Sequence, residues 1–168
     1  MIVQEIEAMC GAEQGSVAYF YFDTRDADKQ NLHNLVPSLL SQLSASSERR
    51  RDILTDLYSR HDKGIKRPSD SNLVESLKRI PGLPGQRPTY PMMDAVDECP
   101  NNFGIPTPRT RVLQLIQDAV EHRLSQLHIC VTSRRQANIH VYASDGAQIN
   151  VTRYIPSRHA HGLSSASR

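Results

Sequence analysis

The stretch TYPMMDAVDE, residues Thr89–Glu98, decides the fold of this 168-residue chain. It is a short apolar run that ends in Asp94, and Asp97 and Glu98 add two more acids directly after it. A run of this length between polar segments is typical of a buried strand in a parallel sheet. Pro91 is a flaw in that prediction, because proline cannot donate a hydrogen bond to a neighbouring strand. Acids that follow such a strand lie where open α/β sheets bind their ligands.

Two other runs predict strands before and after it in the chain. They are SVAYFYF, residues Ser16–Phe22, and LHICVT, residues Leu127–Thr132. Between the strands, apolar residues recur at spacings of three and four, which predicts amphipathic helices, and Pro37 predicts a kink or a late start in one of them. Strands that alternate with helices predict an α/β fold with a parallel sheet and flanking helices. The predicted helices lie within residues 1–10, 32–43, 53–58, 73–80 and 107–120.

The composition limits the class of protein. A length of 168 residues predicts one domain, and a net charge of +2 argues against a dedicated nucleic-acid binder with a dominant basic surface. No apolar run approaches the ~20 residues that span a bilayer. Cys10, Cys99 and Cys130 are far apart and odd in number. We therefore expect reduced thiols, no structural zinc and a cytoplasmic location.

Polar clusters follow all three predicted strands. FDTRD, residues Phe22–Asp26, follows the first, MMDAVDE ends the second, and VTSRR, residues Val131–Arg135, ends the third. Taken singly, each cluster is also what a solvated surface loop would show. Together they fall at the same end of successive parallel strands, which favours a binding site. A carboxylate there can hold Mg²⁺, a second acid can polarise a water, and an arginine can bind a phosphate.

The order and spacing of these runs resemble the NACHT domain of fungal STAND P-loop NTPases, in particular those with a nephrocystin-like N-terminal domain. The MMDAVDE run matches the Walker B strand of that family, and TSR matches its sensor strand. The resemblance covers residues 1–137 and implies a partial P-loop NTPase domain of the ASCE/NACHT type. Residues 138–168 form a divergent tail, which we expect to be disordered.

The resemblance also implies roles for six residues. Asp94 would hold Mg²⁺, and Asp97 and Glu98 would lie near the γ-phosphate and its attacking water, with the choice of catalytic acid left open between these two. The implied cofactors are Mg²⁺ and ATP or GTP, used as a signalling switch. The residues that would read the γ-phosphate are Thr132, Ser133 and Arg134.

One motif of that family is missing from the chain. The sequence contains no GxxxxGKS or GxxxxGKT, and the strand that carries this phosphate-binding loop would precede Met1. We therefore expect an internal fragment that binds nucleotide weakly and is not an active ATPase. The alternative is a non-enzymatic interaction module that pairs with full-length NACHT relatives.

The missing strand has a consequence for assembly. Without it, the apolar strand Leu127–Thr132 becomes an edge with unpaired N–H and C=O groups, which predicts self-association or a protein partner that supplies a strand. The tail offers a different outcome, because residues Ala147–Val151 could fold back as a substitute strand.

Overall fold

A parallel sheet of four strands, in the order β1-β2-β3-β4, is the centre of the fold. The structure is a computed structural model that describes residues 15–85, 87–121 and 126–134, together with the backbone of residues 149–153. All three neighbouring pairs of strands are parallel, as the sequence predicts. The strands are β1 (Ser16–Tyr21), β2 (Thr89–Asp94), β3 (Ile129–Ser133) and β4 (Ile149–Arg153).

In the described residues, four helices flank this sheet: α1 (Leu32–Ala45), α2 (Glu48–Arg60), α3 (Asp70–Arg79) and α4 (Pro108–Glu121). Asn31 accepts the N–H of Asn34 at 2.9 Å and so caps α1, which begins before Pro37 and continues through it. The α/β prediction is confirmed, whereas the predicted helix in residues 1–10 lies outside the described residues. In the described part of the chain, no helix is long and apolar enough to cross a membrane.

Alternation along β1 separates a core face of the sheet from a second face. Ala18, Phe20 and Phe22 belong to one buried cluster that also contains apolar residues of the four helices. Tyr19 and Tyr21 point to the opposite face, where 54% and 39% of their surfaces are exposed. The described helices therefore bury one face, and side chains of the other face, among them Tyr19 and Tyr21, line a cavity at the ends of the strands.

Pro91 lies inside β2, and the hydrogen-bond pattern explains why the strand tolerates it. The N–H of Thr89 donates to the carbonyl of Gln126 at 2.7 Å, so Thr89 faces β3. Because successive residues face opposite neighbours, Pro91 also faces β3 and its missing N–H does not interrupt the pairing with β1. The pairing of β2 with β3 resumes only at Met92, opposite Cys130.

The free edge expected at β3 is covered by β4. The two strands pair along their full length, from Ile129 opposite Ile149 to Ser133 opposite Arg153. Of the two outcomes that the sequence allows, the structure shows the substitute strand, displaced by two residues from the predicted Ala147–Val151. The neighbouring residues 135–148 and 154–168 lie outside the described part of the chain, so the boundary at 137 and the disorder of the tail stay predictions.

Candidate functional site

The ends of β1, β2 and β3 enclose a cavity of about 730 Å³. A sharp turn after β2 forms part of its wall. Ala95 has a left-handed backbone (φ 54°, ψ 45°), which ends the strand at Asp94 and begins the single 3₁₀ turn Val96–Glu98. A residue with a Cβ adopts this conformation only at a cost of about 1–2 kcal/mol, so the surrounding contacts must hold the turn in place.

Thr132 of β3 supplies one of these contacts. Its side chain is buried, its hydroxyl accepts the N–H of Ala95 at 3.0 Å, and it donates its proton to a carboxylate oxygen of Asp94. The carboxylate itself lies at an exposed strand end. The structure therefore brings Asp94 and Thr132 together and leaves Asp94 accessible from the cavity.

Asp97 and Arg134 form the closest ion pair of the site. The Nε of Arg134 lies 2.6 Å from Oδ2 of Asp97, and the backbone N–H of Arg134 donates to Oδ1 at 2.9 Å. The Asp97 side chain is 1% exposed and the Arg134 side chain is 63% exposed. Burial raises the pKa of Asp97, but the hydrogen bonds and the charge of Arg134 outweigh it and leave this pKa below its usual range.

Glu98 connects the remaining strand end to this pair. One carboxylate oxygen accepts the N–H of Thr24 at 3.2 Å, and the other lies 3.6 Å from a guanidinium nitrogen of Arg134. The Glu98 side chain is 23% exposed, so it is more accessible than Asp97. Residues after β1, β2 and β3 are thus joined in one polar network.

The third polar cluster, after β1, is mainly a salt-bridged loop. Asp23 accepts from Nε and Nη2 of Arg25, both at 2.9 Å, and from its backbone N–H at 2.9 Å. These bonds lower the pKa of Asp23 to about 2. Because both oxygens of Asp23 are already occupied, this cluster contributes the backbone of Thr24 to the site and no carboxylate.

All six residues predicted from the sequence line the same cavity, together with Tyr19, Tyr21 and Met92 of the second face of the sheet.

The prediction missed Arg109, near the start of α4. Its guanidinium donates to the carbonyls of Asp97, at 2.6 Å, and of Cys99, at 2.9 Å. A cation in the first turn of a helix interacts unfavourably with the helix dipole. The position of Arg109 was therefore a local sign that its side chain binds the loop before α4.

A comparison with protein families assigns the chain to a family. The family model described as "Nephrocystin 3, N-terminal" matches residues 1–134. This chain belongs to that family. The nephrocystin 3 N-terminal domain is associated with NACHT and STAND proteins. No curated protein and no solved structure matches the chain.

In the described part of this nephrocystin 3 N-terminal domain, side chains alone do not complete a metal site, so a bound ion would keep water or phosphate ligands. Among the described residues, no three His, Cys, Asp or Glu side chains form a group that could hold an ion by themselves. Mg²⁺ usually keeps several waters and takes one or two carboxylates together with the phosphates of a substrate. The exposed carboxylate of Asp94, next to the Thr132 hydroxyl, fits a hydrated Mg²⁺ that arrives with a nucleotide.

Proposed function

We propose that this chain forms the Mg²⁺-facing and γ-phosphate-facing part of a NACHT-type nucleotide switch, and that it binds nucleotide weakly by itself. The observation that carries the proposal is the convergence of polar groups from three parallel strand ends on one cavity. In open α/β sheets, this is the position at which ligands bind. The family membership supports the same class of protein without assigning an activity.

Each polar group has a proposed role. Asp94 would hold a hydrated Mg²⁺, which would neutralise phosphate charge, and the hydroxyl of Thr132 would orient the Asp94 carboxylate. Arg134 would bind a terminal phosphate oxygen, since 63% of its side chain is exposed. Ser133, whose hydroxyl donates to the Arg134 carbonyl at 2.7 Å, would support that loop.

Of the two acids left open by the sequence, the contacts favour Glu98 for the attacking water. Both oxygens of Asp97 already accept hydrogen bonds from Arg134, and its side chain is almost fully buried. A buried carboxylate with a lowered pKa is a poor base, because it binds a proton weakly. In this proposal Asp97 positions Arg134, and Glu98 faces the water.

Weak binding follows from what the 168 residues contain. Backbone N–H groups and the lysine of a GxxxxGKS or GxxxxGKT loop supply much of the phosphate affinity in P-loop proteins, and the sequence has neither motif. The site would therefore need a phosphate-binding loop from a longer chain or from a relative. Protein partners and a cytoplasmic location belong to the same proposal.

Titration of the ¹⁵N-labelled chain with Mg·ATP and Mg·GTP tests this function. We expect a Kd weaker than ~10 μM, which corresponds to about −7 kcal/mol. The amide shifts should be confined to residues 94–98 and 132–134. Asp94→Ala should remove the Mg²⁺-dependent part of the shifts. The matched control is Asp62→Asn, which alters an exposed acid that pairs with Lys66 outside the cavity.

Two results would contradict the proposal. Calorimetric binding tighter than ~10 μM would show that the missing loop is not needed. A titration to ~10 mM nucleotide detects a Kd of about 1–10 mM, which corresponds to roughly −4 to −3 kcal/mol. A spectrum without shifts at that concentration would leave the non-enzymatic interaction module as the better hypothesis.

A further inference from the structure

The outer edge of β1 is the second edge of the sheet, and backbone hydrogen bonds show which residues face it. Ser16 donates its N–H to the Pro88 carbonyl at 2.8 Å, and Phe22 donates to the Asp94 carbonyl at 3.0 Å. Even-numbered residues of β1 therefore face β2. Since successive residues face opposite sides, the N–H and C=O groups of Val17, Tyr19 and Tyr21 point outward.

The side chain of Gln42, on α1, occupies the middle of this edge. Its Oε1 accepts the N–H of Tyr19 at 3.0 Å, and its Nε2 donates to the carbonyl of Tyr19 at 2.8 Å. The same Nε2 also lies 3.3 Å from the carbonyl and 3.1 Å from the hydroxyl of Ser38, one turn earlier in α1. The amide thus makes the pair of hydrogen bonds that a neighbouring strand would make, and its own helix holds it there.

The composition of β1 gives this strand little protection against pairing with other chains. SVAYFY contains no charged residue and no proline, although natural edge strands often carry a charge, a proline or a bulge that prevents pairing with other chains. Short segments with high β-propensity and no charge or proline are aggregation hazards. Beyond the strand, the Lys29 carbonyl already accepts the N–H of Asp23 at 3.3 Å. Gln42 bonds the N–H and C=O groups of Tyr19, in the middle of the strand, which the loop does not reach.

We propose that the β1 edge is a strand-pairing surface for a second copy of this chain, and that Gln42 keeps it closed. Two β1 edges can pair antiparallel across a two-fold axis, because such a contact uses the same surface on both copies. Tyr19 lies near the centre of the strand, so its N–H and C=O would lie near that axis. This inference does not depend on nucleotide binding.

Gln42→Leu opens the edge with little change in side-chain volume. We expect the Tyr19 amide to exchange at least about tenfold faster in dilute, monomeric Gln42→Leu than in the unaltered chain, since a tenfold change corresponds to about 1.4 kcal/mol. At higher concentration, sedimentation velocity should show self-association of the variant, and Tyr19 should regain protection. Gln117→Leu is the matched control, because Gln117 bonds Glu121 on an exposed helix face away from any strand.

A second substitution separates edge pairing from general stickiness. Adding Tyr19→Lys to Gln42→Leu should restore the monomer, because a charged side chain on the edge strand opposes pairing. If Gln42→Leu fails to fold by circular dichroism, Gln42→Asn replaces it, since the shorter amide cannot reach both groups of Tyr19. Unchanged exchange at Tyr19, association equal to that of Gln117→Leu, or association that persists with Tyr19→Lys would each overturn the proposal.

Discussion

At the scale of single residues, the shortest ion pair of the site joins Asp97 to Arg134. The family resemblance implies that both residues lie near a γ-phosphate, and the structure shows that they bind each other. Arg134 is held through its Nε and its backbone N–H, and 63% of its side chain is nevertheless exposed. In the proposed function, Asp97 would hold Arg134 in position to bind a phosphate.

Removal of this carboxylate should destabilise the fold. Hydrogen bonds to charged groups contribute about 1.5–3 kcal/mol, so we expect Asp97→Ala to lower the free energy of unfolding by that amount. The control is Asp56→Asn, which alters a half-exposed carboxylate paired with Arg60 and Arg79. Exposed ion pairs contribute less than about 1 kcal/mol. Urea unfolding at pH 7 measures both, and equal effects would contradict the role given to Asp97.

The same residue predicts a pH dependence. The pKa of Asp97 is lower in the folded protein than the value of about 3.9 for an unfolded aspartate. The unfolded state therefore binds more protons between these two pKa values, and stability rises with pH there. The contribution of Asp97 should be complete above the unfolded pKa and should be lost as pH falls through the folded pKa. Asp97→Asn should lack this part of the acid-induced loss in urea unfolding curves.

At the scale of secondary-structure elements, a buried arginine fastens α2 to the start of β2. Arg50 is 1% exposed, and its guanidinium donates to the Arg87 carbonyl at 3.2 Å and to the Thr89 hydroxyl at 3.1 Å. Burial lowers its pKa, as expected for a cation removed from water. The contact joins the helix that begins at Glu48 to the strand that ends at the site, so it helps to set the position of β2.

We expect Arg50→Ala to reduce the free energy of unfolding by about 3–5 kcal/mol, because it breaks a buried polar network and leaves a void. Arg49→Ala provides the matched control on the same helix. Arg49 is exposed and donates to the Pro84 carbonyl at 2.8 Å, so its loss should cost less than about 1 kcal/mol. Thermal and urea unfolding of the two variants would measure the difference. Similar losses in the free energy of unfolding would show that the contacts of Arg50 do not hold α2 to β2.

At the scale of the whole molecule, the two outer edges of the three strands β1, β2 and β3 are covered in different ways. On one side a complete strand, β4, pairs with β3, and on the other a single glutamine side chain bonds β1. An uncovered apolar edge is a template for association with other chains. The expected self-association through β3 therefore requires the loss of β4.

Truncation after residue 136 should expose that edge. His128 donates to the Thr89 carbonyl, so by alternation the N–H groups of Ile129 and Val131 point towards β4. Hydrogen exchange should show that these two amides lose protection in the truncated chain, and sedimentation should show self-association. The control is truncation after residue 156, which retains β4. A monomeric 1–136 chain with Val131 still protected would contradict the assignment of β4 as an edge cover.

The sequence alone determined the parts of this protein that depend on local patterns. Apolar runs located β1, β2 and β3 within one or two residues, and periodicity located all four described helices. The positions of Asp94 and Thr132 at the ends of their strands already placed them at one edge of the sheet, because the carboxyl ends of parallel strands coincide. Local order is enough for these predictions, since helix and strand periods are properties of neighbouring residues.

Tertiary structure alone decided which of these groups bind one another. Arg134 and Asp97 are 37 residues apart in the chain, and Tyr19 and Gln42 are 23 apart. Their pairing depends on the register of the strands and on the angle at which α1 crosses β1, and no local pattern encodes either. The same holds for Pro91, which the sequence marks as a flaw. Its missing N–H faces β3 and leaves the pairing with β1 intact, a relation that exists only once three separate segments have packed together.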